Sequence, residues 1–273
     1  MEAPVVSSIR HPAVEAARRS LGQLGREPAT AFLADGHSLV AQALASSLVV
    51  EQLFFLHPVA GDEEALLAQA RLAQRECLVA SKGVFFRILA LGYETSVRVL
   101  AVVHRPQPPD AAELVGGDGC VLVGEDIQDP RNVGVLIRTA DAWGLPCTIF
   151  SQQSADPYCR ASVRSSTGSV FRVPVVQAAH LPTYLERLRD RGLRIIGTSA
   201  QAPQRCWDTD LTGPCALVLG NESVGISEEV RAVCGEVVSI PLRGGAHSFN
   251  VTVAAGILLY ERDRQAQRRG CTV

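Results

Sequence analysis

Three segments in the second half of the chain carry the polar groups best placed to do chemistry. They read Asp129-Pro-Arg-Asn-Val-Gly-Val-Leu-Ile-Arg138-Thr, Leu217-Val-Leu-Gly-Asn-Glu222 and Ile240-Pro-Leu-Arg-Gly-Gly-Ala-His-Ser-Phe-Asn250-Val. Each sets polar side chains at the edge of a strongly apolar element. Between them they supply carboxamides, guanidinium groups, carboxylates and hydroxyls. Such groups grip a ligand and orient it. Strand ends and helix starts in open α/β sheets are where ligands bind.

Several other chemistries are excluded by pattern. No Gly-x-Gly-x-x-Gly follows Val121-Leu-Val-Gly, and Gly116, Gly117 and Gly119 precede that strand. A phosphate-cradling Gly-x-x-x-x-Gly-Lys-Ser/Thr is missing, and Gly197-Thr-Ser-Ala-Gln fails as a nucleophile elbow at its last place. The eight cysteines (77, 120, 147, 159, 206, 215, 234, 271) form no Cys-x-x-Cys, and no histidine pair has ligand spacing. Free, mostly buried thiols and no metal are expected.

The elements that must position these groups can be read along the chain. Its 273 residues, 47% hydrophobic and 20% charged, suffice for a sizeable core. A linker at Arg105-Pro-Gln-Pro-Pro-Asp running into Gly116-Gly-Asp-Gly divides it into residues 1–105, 106–119 and 120–273. The first part alternates strands at 32–34, 48–56, 77–80 and 97–103 with helices at 36–45 and 63–74, a small α/β domain. Arg10, Arg18, Arg19 and Arg26 lie on an early helix and its flanks, as a solvated face or an RNA contact. In the second part strands are predicted at 120–124, 146–150, 170–176, 194–198, 215–219 and 237–240. Helices are predicted at 130–143, 180–191, 227–234 and 249–265. This alternation predicts a parallel sheet covered on both faces. Asp129 is placed to cap the first of these helices, with Pro130 at its first position and Gly144 at its end. Ser227 is placed to cap a later one.

The net charge of −2 argues against nucleic-acid binding by bulk charge alone, although local patches can serve. Basic content is almost all arginine, Lys82 being the single lysine. Arginine is the better phosphate partner. No apolar run approaches the roughly 20 residues that span a bilayer. The start, Met1-Glu-Ala-Pro-Val-Val-Ser-Ser, lacks the layout of a signal peptide, so the cytoplasm is the expected location.

The three segments, in this order and spacing and with the intervening Asp156-Pro-Tyr-Cys-Arg-Ala-Ser-Val-Arg164-Ser-Ser-Thr-Gly168, resemble the SpoU (TrmH-like) family of RNA ribose 2′-O-methyltransferases, of the SPOUT class. The likeness covers about residues 120 to 262. A weaker one, over Ala31 to Val103, is to the L30e-like substrate-binding domain of many ribosomal-RNA members. The resemblance implies a parallel sheet ending in a deep trefoil knot. It also implies S-adenosyl-L-methionine in that knot, lined by Thr198, Gly220, Ile240, Leu242, Phe249 and Val251. Gly220, Gly225, Gly244 and Gly245 would let the backbone turn sharply there.

By the same resemblance Arg138 is the catalytic arginine. A guanidinium holds its proton too firmly to serve as a base, so holding the adjacent phosphate and stabilising developing charge suits it better. Glu222 could accept hydrogen bonds from Asn132 or Arg138. Asn132 and Arg138, six residues apart, do not share a face of an ideal helix. Ser248 and Asn250 would lie beside cofactor and ribose while capping the last helix. That helix, Val251 to Tyr260, is apolar nearly all round, which implies burial on every side and, in the family, a homodimer. Arg262, Arg264, Arg268 and Arg269 then form a basic tail, for RNA or solvent. Ser223, Val224 and Phe249 depart from the family's usual residues; Phe249 could reshape the adenine pocket. The extra N-terminal domain favours rRNA as substrate. A tRNA methyltransferase and a non-catalytic ribosome-assembly protein stay open as alternatives.

Overall fold

The computed structural model describes residues 4–25, 28–90, 96–115 and 119–270, without the side chain of Ala112. Arg26, Gly116, Gly117 and Cys271 lie outside the described residues. The chain forms two compact units: Met1–Gln107 with Tyr158–Phe171, and Pro108–Pro157 with Arg172–Val273.

The first unit contains β1 (Val5–Val6), α1 (Pro12–Ser20), β2 (Ala31–Asp35), α2 (His37–Ala45), β3 (Val50–Leu56), α3 (Asp62–Leu72), β4 (Cys77–Ala80), α4 (Lys82–Leu89) and β5 (Val99–His104). Its sheet runs β1-β4-β3-β5-β2, with the last two pairings antiparallel. The strands are buried because apolar residues fill both of their faces, as in Leu53, Phe54 and Phe55. The segment 158–171 packs on β2. Tyr158 and Phe171 approach the Phe32 ring at 5.0 and 6.1 Å. The buried Asp35 carboxylate receives both Arg160 and Arg164 at 2.7 Å.

The second unit begins with α5 (Ala111–Leu114). It continues through β6 (Cys120–Gly124), α6 (Pro130–Ala142) and β7 (Thr148–Ser151). After α7 (Arg160–Ser165), which belongs to the first unit, come β8 (Val175–Ala178), α8 (Leu181–Asp190), β9 (Arg194–Thr198), β10 (Gln204–Arg205), β11 (Cys215–Leu219), α9 (Glu228–Val233), β12 (Glu236–Ser239) and α10 (Val251–Arg268). The sheet order is β10-β12-β9-β11-β6-β7-β8, and every pairing is parallel. From β6 the chain runs outward to β7 and β8 on one side and is continued by β11, β9 and β12 on the other. Order therefore reverses between β6 and β11, so the connections after these two strands run to opposite sides of the sheet. Val121, Val123, Ala216 and Val218 are wholly buried under Leu185 and Val230.

Local chemistry sets the helix ends. Asp129 Oδ1 accepts from the Arg131 N–H at 2.8 Å, Pro130 opens α6, and Gly144 leaves it at φ +64°. Ser227 Oγ accepts from Val230 N–H at 3.1 Å to start α9. Six regions differ from the sequence reading, among them α5 (Ala111–Leu114), which lies inside the expected linker 106–119. The apolar stretch at 170–176 splits into a 3-10 turn, Ser169–Phe171, and β8, whose strand begins after Pro174. The short α7 and the two-residue edge strands β1 and β10 carry too little apolar periodicity to be read, and the short apolar α4 suits a strand as well as a helix.

Candidate functional site

The carboxyl ends of β9, β11 and β12 and the first turn of α10 surround a cleft of about 650 Å³, counted out to its open mouth. All six residues expected to hold a cofactor line it. Thr198 closes β9, and its hydroxyl donates to the Val218 carbonyl at 3.0 Å. Gly220 ends β11. A Cβ there would lie 2.1 Å from the Gly225 carbonyl carbon, so no other residue fits without moving the backbone. Ile240, Leu242, Phe249 and Val251 supply apolar walls. Glu222 and Ser248 stand on the same lining.

A directed chain of hydrogen bonds runs beside the cleft. It starts at the helix cap. Asn250 Oδ1 accepts from the Thr252 N–H at 2.9 Å and hydroxyl at 2.7 Å. That leaves its Nδ2 to donate to Asn132 Oδ1 at 3.3 Å. Asn132 must then present its own Nδ2, which donates to Glu222 Oε1 at 2.8 Å. The other Glu222 oxygen accepts from the Gln128 N–H at 3.3 Å. Partial burial raises the Glu222 pKa. The hydrogen bonds from Asn132 and from backbone amides outweigh that effect and hold it below the usual glutamate range. Glu222 is thus a fixed anion, 90 residues from Asn132 in sequence.

Three expected residues stand apart from this arrangement. Arg138 is exposed on α6, does not line the cleft, and its guanidinium makes no hydrogen bond or ion pair among the described residues. Gly244 and Gly245 have open space around them and no left-handed backbone, so within the folded chain nothing requires glycine there. Gly225, by contrast, sits at φ +76°. The basic tail is largely engaged. Arg262 is buried, with a hydrogen bond to the Gly213 carbonyl, Arg264 pairs with Glu261, and Arg269 with Asp210. Arg262 is therefore no RNA contact; Arg268 stays exposed, with a charge attraction to Glu261 and no hydrogen bond among the described residues. Along α10, Val251, Ala255, Leu258 and Leu259 are buried, while Val253 and Tyr260 remain 48% and 61% exposed.

Sequence reasoning passed over Ser199, Ala200, Val238 and Ala254, which also line the cleft. It also gave no role to Asn221. Its signal was present in Gly220-Asn-Glu222, but only the folded turn shows what the side chain reaches. The seven described cysteines are free. Among the described residues no group of His, Cys, Asp or Glu could hold a metal ion, and no helix is long and apolar enough to cross a membrane.

Comparison with known proteins gives this site a family. Residues 119–260 match the model of the SpoU rRNA Methylase family. The 23S rRNA (guanosine(2553)-2′-O)-methyltransferase RlmP of Bacillus subtilis is 31% identical over 235 residues, 86% of this chain and 89% of that protein. Among solved structures, the SpoU methyltransferase AviRb from Streptomyces viridochromogenes in complex with AdoMet superposes with a TM-score of 0.82 at 30% identity, covering 94% of this chain and 99% of that one. An AdoMet-bound rRNA methyltransferase from Sinorhizobium meliloti gives 0.80 at 26% identity, covering 96% and 97%. The chain belongs to the SpoU rRNA Methylase family.

Proposed function

We propose that this protein transfers a methyl group from S-adenosyl-L-methionine to a ribose 2′-hydroxyl of ribosomal RNA. The observation that carries the reading is the Asn250–Asn132–Glu222 chain beside a cleft walled by Thr198, Gly220, Ile240, Leu242, Phe249 and Val251. The cleft fits such a cofactor. Its lining sets apolar walls beside a few polar groups, the pattern of a small-molecule site, and the missing Gly220 side chain lets the turn to Gly225 close tightly at its edge. When bound, the cofactor supplies an electrophilic methyl on a sulfonium.

The chain's residues supply alignment and charge. A ribose hydroxyl is a weak nucleophile, so holding it in line is the main help an enzyme can give. Ser248 at the mouth, with Asn132 and Asn250, offers hydrogen bonds to the sugar. Glu222 fixes their orientation. Arg138 is exposed, with no partner for its guanidinium among the described residues, and is suited to grip the phosphate beside the target ribose and stabilise charge developing on its oxygen.

The same reading takes in the finer points of architecture. The reversal of strand order and the return of α10 onto α6 support a carboxyl-terminal trefoil knot. The mixed five-stranded first unit supports an L30e-like RNA-binding domain over residues 1–105, joined by 106–119 to the methyltransferase domain 120–273. The apolar exposure of Val253 and Tyr260 on a helix otherwise buried supports a homodimer through α10. A ribosomal substrate puts the work in the cytoplasm.

Incubation with labelled S-adenosyl-L-methionine and separated RNA fractions, followed by mapping of alkali-resistant bonds, tests the activity. Label is expected in rRNA; label confined to tRNA would move the substrate, and none in either would defeat the reading. Replacing Arg138 by Ala should cost at least about 100-fold in turnover and leave cofactor affinity by calorimetry unchanged. Lost cofactor affinity would overturn the role given to Arg138.

A further inference from the structure

We propose that Asn221 is a positioning residue for the transfer, resting on the function proposed above: it latches the turn that carries Glu222 onto the loop that opens α6, and so sets the polar chain ending at Asn250. The carboxamide uses both of its ends. Its Oδ1 accepts from the Ser223 and Val224 N–H groups at 2.9 and 3.2 Å, which folds the turn. Its Nδ2 donates to the Asp126 carbonyl at 2.8 Å, 95 residues away in sequence. The backbone of the turn closes on itself as well. Asn221 and Gly225 exchange two hydrogen bonds, at 3.0 and 2.9 Å.

The receiving side is built to present that carbonyl. Asp126 is held at φ +53°, a left-handed conformation that aspartate tolerates better than most residues. Three contacts keep it there. The Asp126 carboxylate accepts from Ser151 Oγ at 2.6 Å, Ser151 Oγ accepts from the Asp126 N–H at 2.8 Å, and Gln128 Nε2 donates to the same carbonyl at 3.1 Å. Next along, Ser154 Oγ accepts from the Ile127 N–H at 3.0 Å. The loop from Asp126 to Gln128 is therefore pinned to the end of β7. Asn221 ties the Glu222 turn to that pinned loop, and Glu222 then meets the Gln128 N–H and Asn132 from a fixed side. Aspartate could fold the turn through an oxygen but has no hydrogen to donate to Asp126, and serine has a single oxygen, one bond nearer the backbone, for contacts that Asn221 makes with two separate atoms. A carboxamide is the group that does both.

Asn221→Asp separates the two jobs, since it keeps the acceptor and removes the donor. The latch predicts faster hydrogen exchange at the Gln128 amide in the variant, with the Ser223 and Val224 amides unchanged. It predicts a kcat about tenfold lower, the scale of one lost hydrogen bond, with KM for RNA and cofactor Kd changed by less than about twofold. Combined with Glu222→Gln, it should cost no more than Glu222→Gln alone, because both act through one carboxylate. Wild-type Gln128 exchange and wild-type kcat in N221D would overturn the proposal. So would strictly additive losses in the double variant, or a fall in cofactor affinity equal to the fall in kcat. If N221D does not fold, Asn221→Ser, neutral and still an acceptor, takes the same readings. The exchange measurement needs no RNA, so a wild-type protein that methylates no RNA would remove the proposed function and leave the latch testable.

Discussion

The two walls of the cleft are made differently. On one side the turn 220–225 is closed by backbone: Asn221 and Gly225 bond each other, Gly220 has no room for a side chain, and Gly225 needs a left-handed conformation. On the other side the segment 240–250 is anchored only at its ends, by β12 and by the Asn250 cap of α10. Among the described residues, Pro241 to Phe249 make no backbone hydrogen bond, and Arg243 to Phe249 are exposed. One wall is preorganised, and it is the wall that carries the charge. The other supplies apolar contact, which is non-directional and tolerates a looser frame. An electrostatic group has to be in place before the reaction, whereas an apolar wall can settle onto its ligand.

The largest break in this contrast comes at Gly220. Gly220→Ala puts a methyl against the Gly225 backbone, which cannot rotate away as a side chain would. We expect a loss of about 3 kcal/mol in unfolding free energy by denaturant titration, and no detectable cofactor binding by calorimetry. Full stability would mean that the turn is as yielding as the opposite wall. Gly225→Ala forces alanine to φ +76° with space around it. It should cost about 1–2 kcal/mol, the penalty of a left-handed non-glycine residue.

The third test uses Glu222. Its pKa is lower in the folded protein than in the unfolded chain, so its contribution to stability is present above the ordinary glutamate range. That contribution is lost as pH falls through the folded value. Glu222→Gln should therefore narrow the gap between variant and wild type as the pH drops from about 6 to 3, read from denaturation midpoints. A gap that widens on acidification would show that the fixed wall does not hold an anion.

How far all this was legible in sequence depends on the range of the interaction. Helix caps are local, and Asp129, Ser227 and Gly144 were readable as such. Continuous apolar runs such as Cys120–Gly124 and Cys215–Leu219 announced buried parallel strands. The short elements were not readable. Arg160–Ser165 has no apolar stripe, and in Lys82–Leu89 two phenylalanines and an isoleucine argue for a strand as much as for a helix. The site residues were picked out by family likeness, and their hydrogen bonds were beyond reach. The Asn132–Glu222 bond spans 90 residues and the Asn250–Asn132 bond 118, and no spacing rule covers such distances. The glycines make the same point in reverse. Gly220, Gly225, Gly244 and Gly245 look alike as letters, yet geometry demands only the first two.

That difference makes the smallest predicted effect the sharpest test. Gly244→Ala and Gly245→Ala meet open space and an ordinary backbone. Each should leave stability within about 0.5 kcal/mol of wild type, or raise it slightly, because alanine narrows the unfolded ensemble. A stability loss like that of Gly225→Ala would mean that both walls are fixed by backbone conformation. A tenfold loss of cofactor affinity at unchanged stability would mean something else: that this wall takes a glycine-only conformation once the cleft is filled. The looseness of 240–250 would then be the means by which the apolar wall closes on its ligand, and denaturation and calorimetry on the same variant separate the two outcomes.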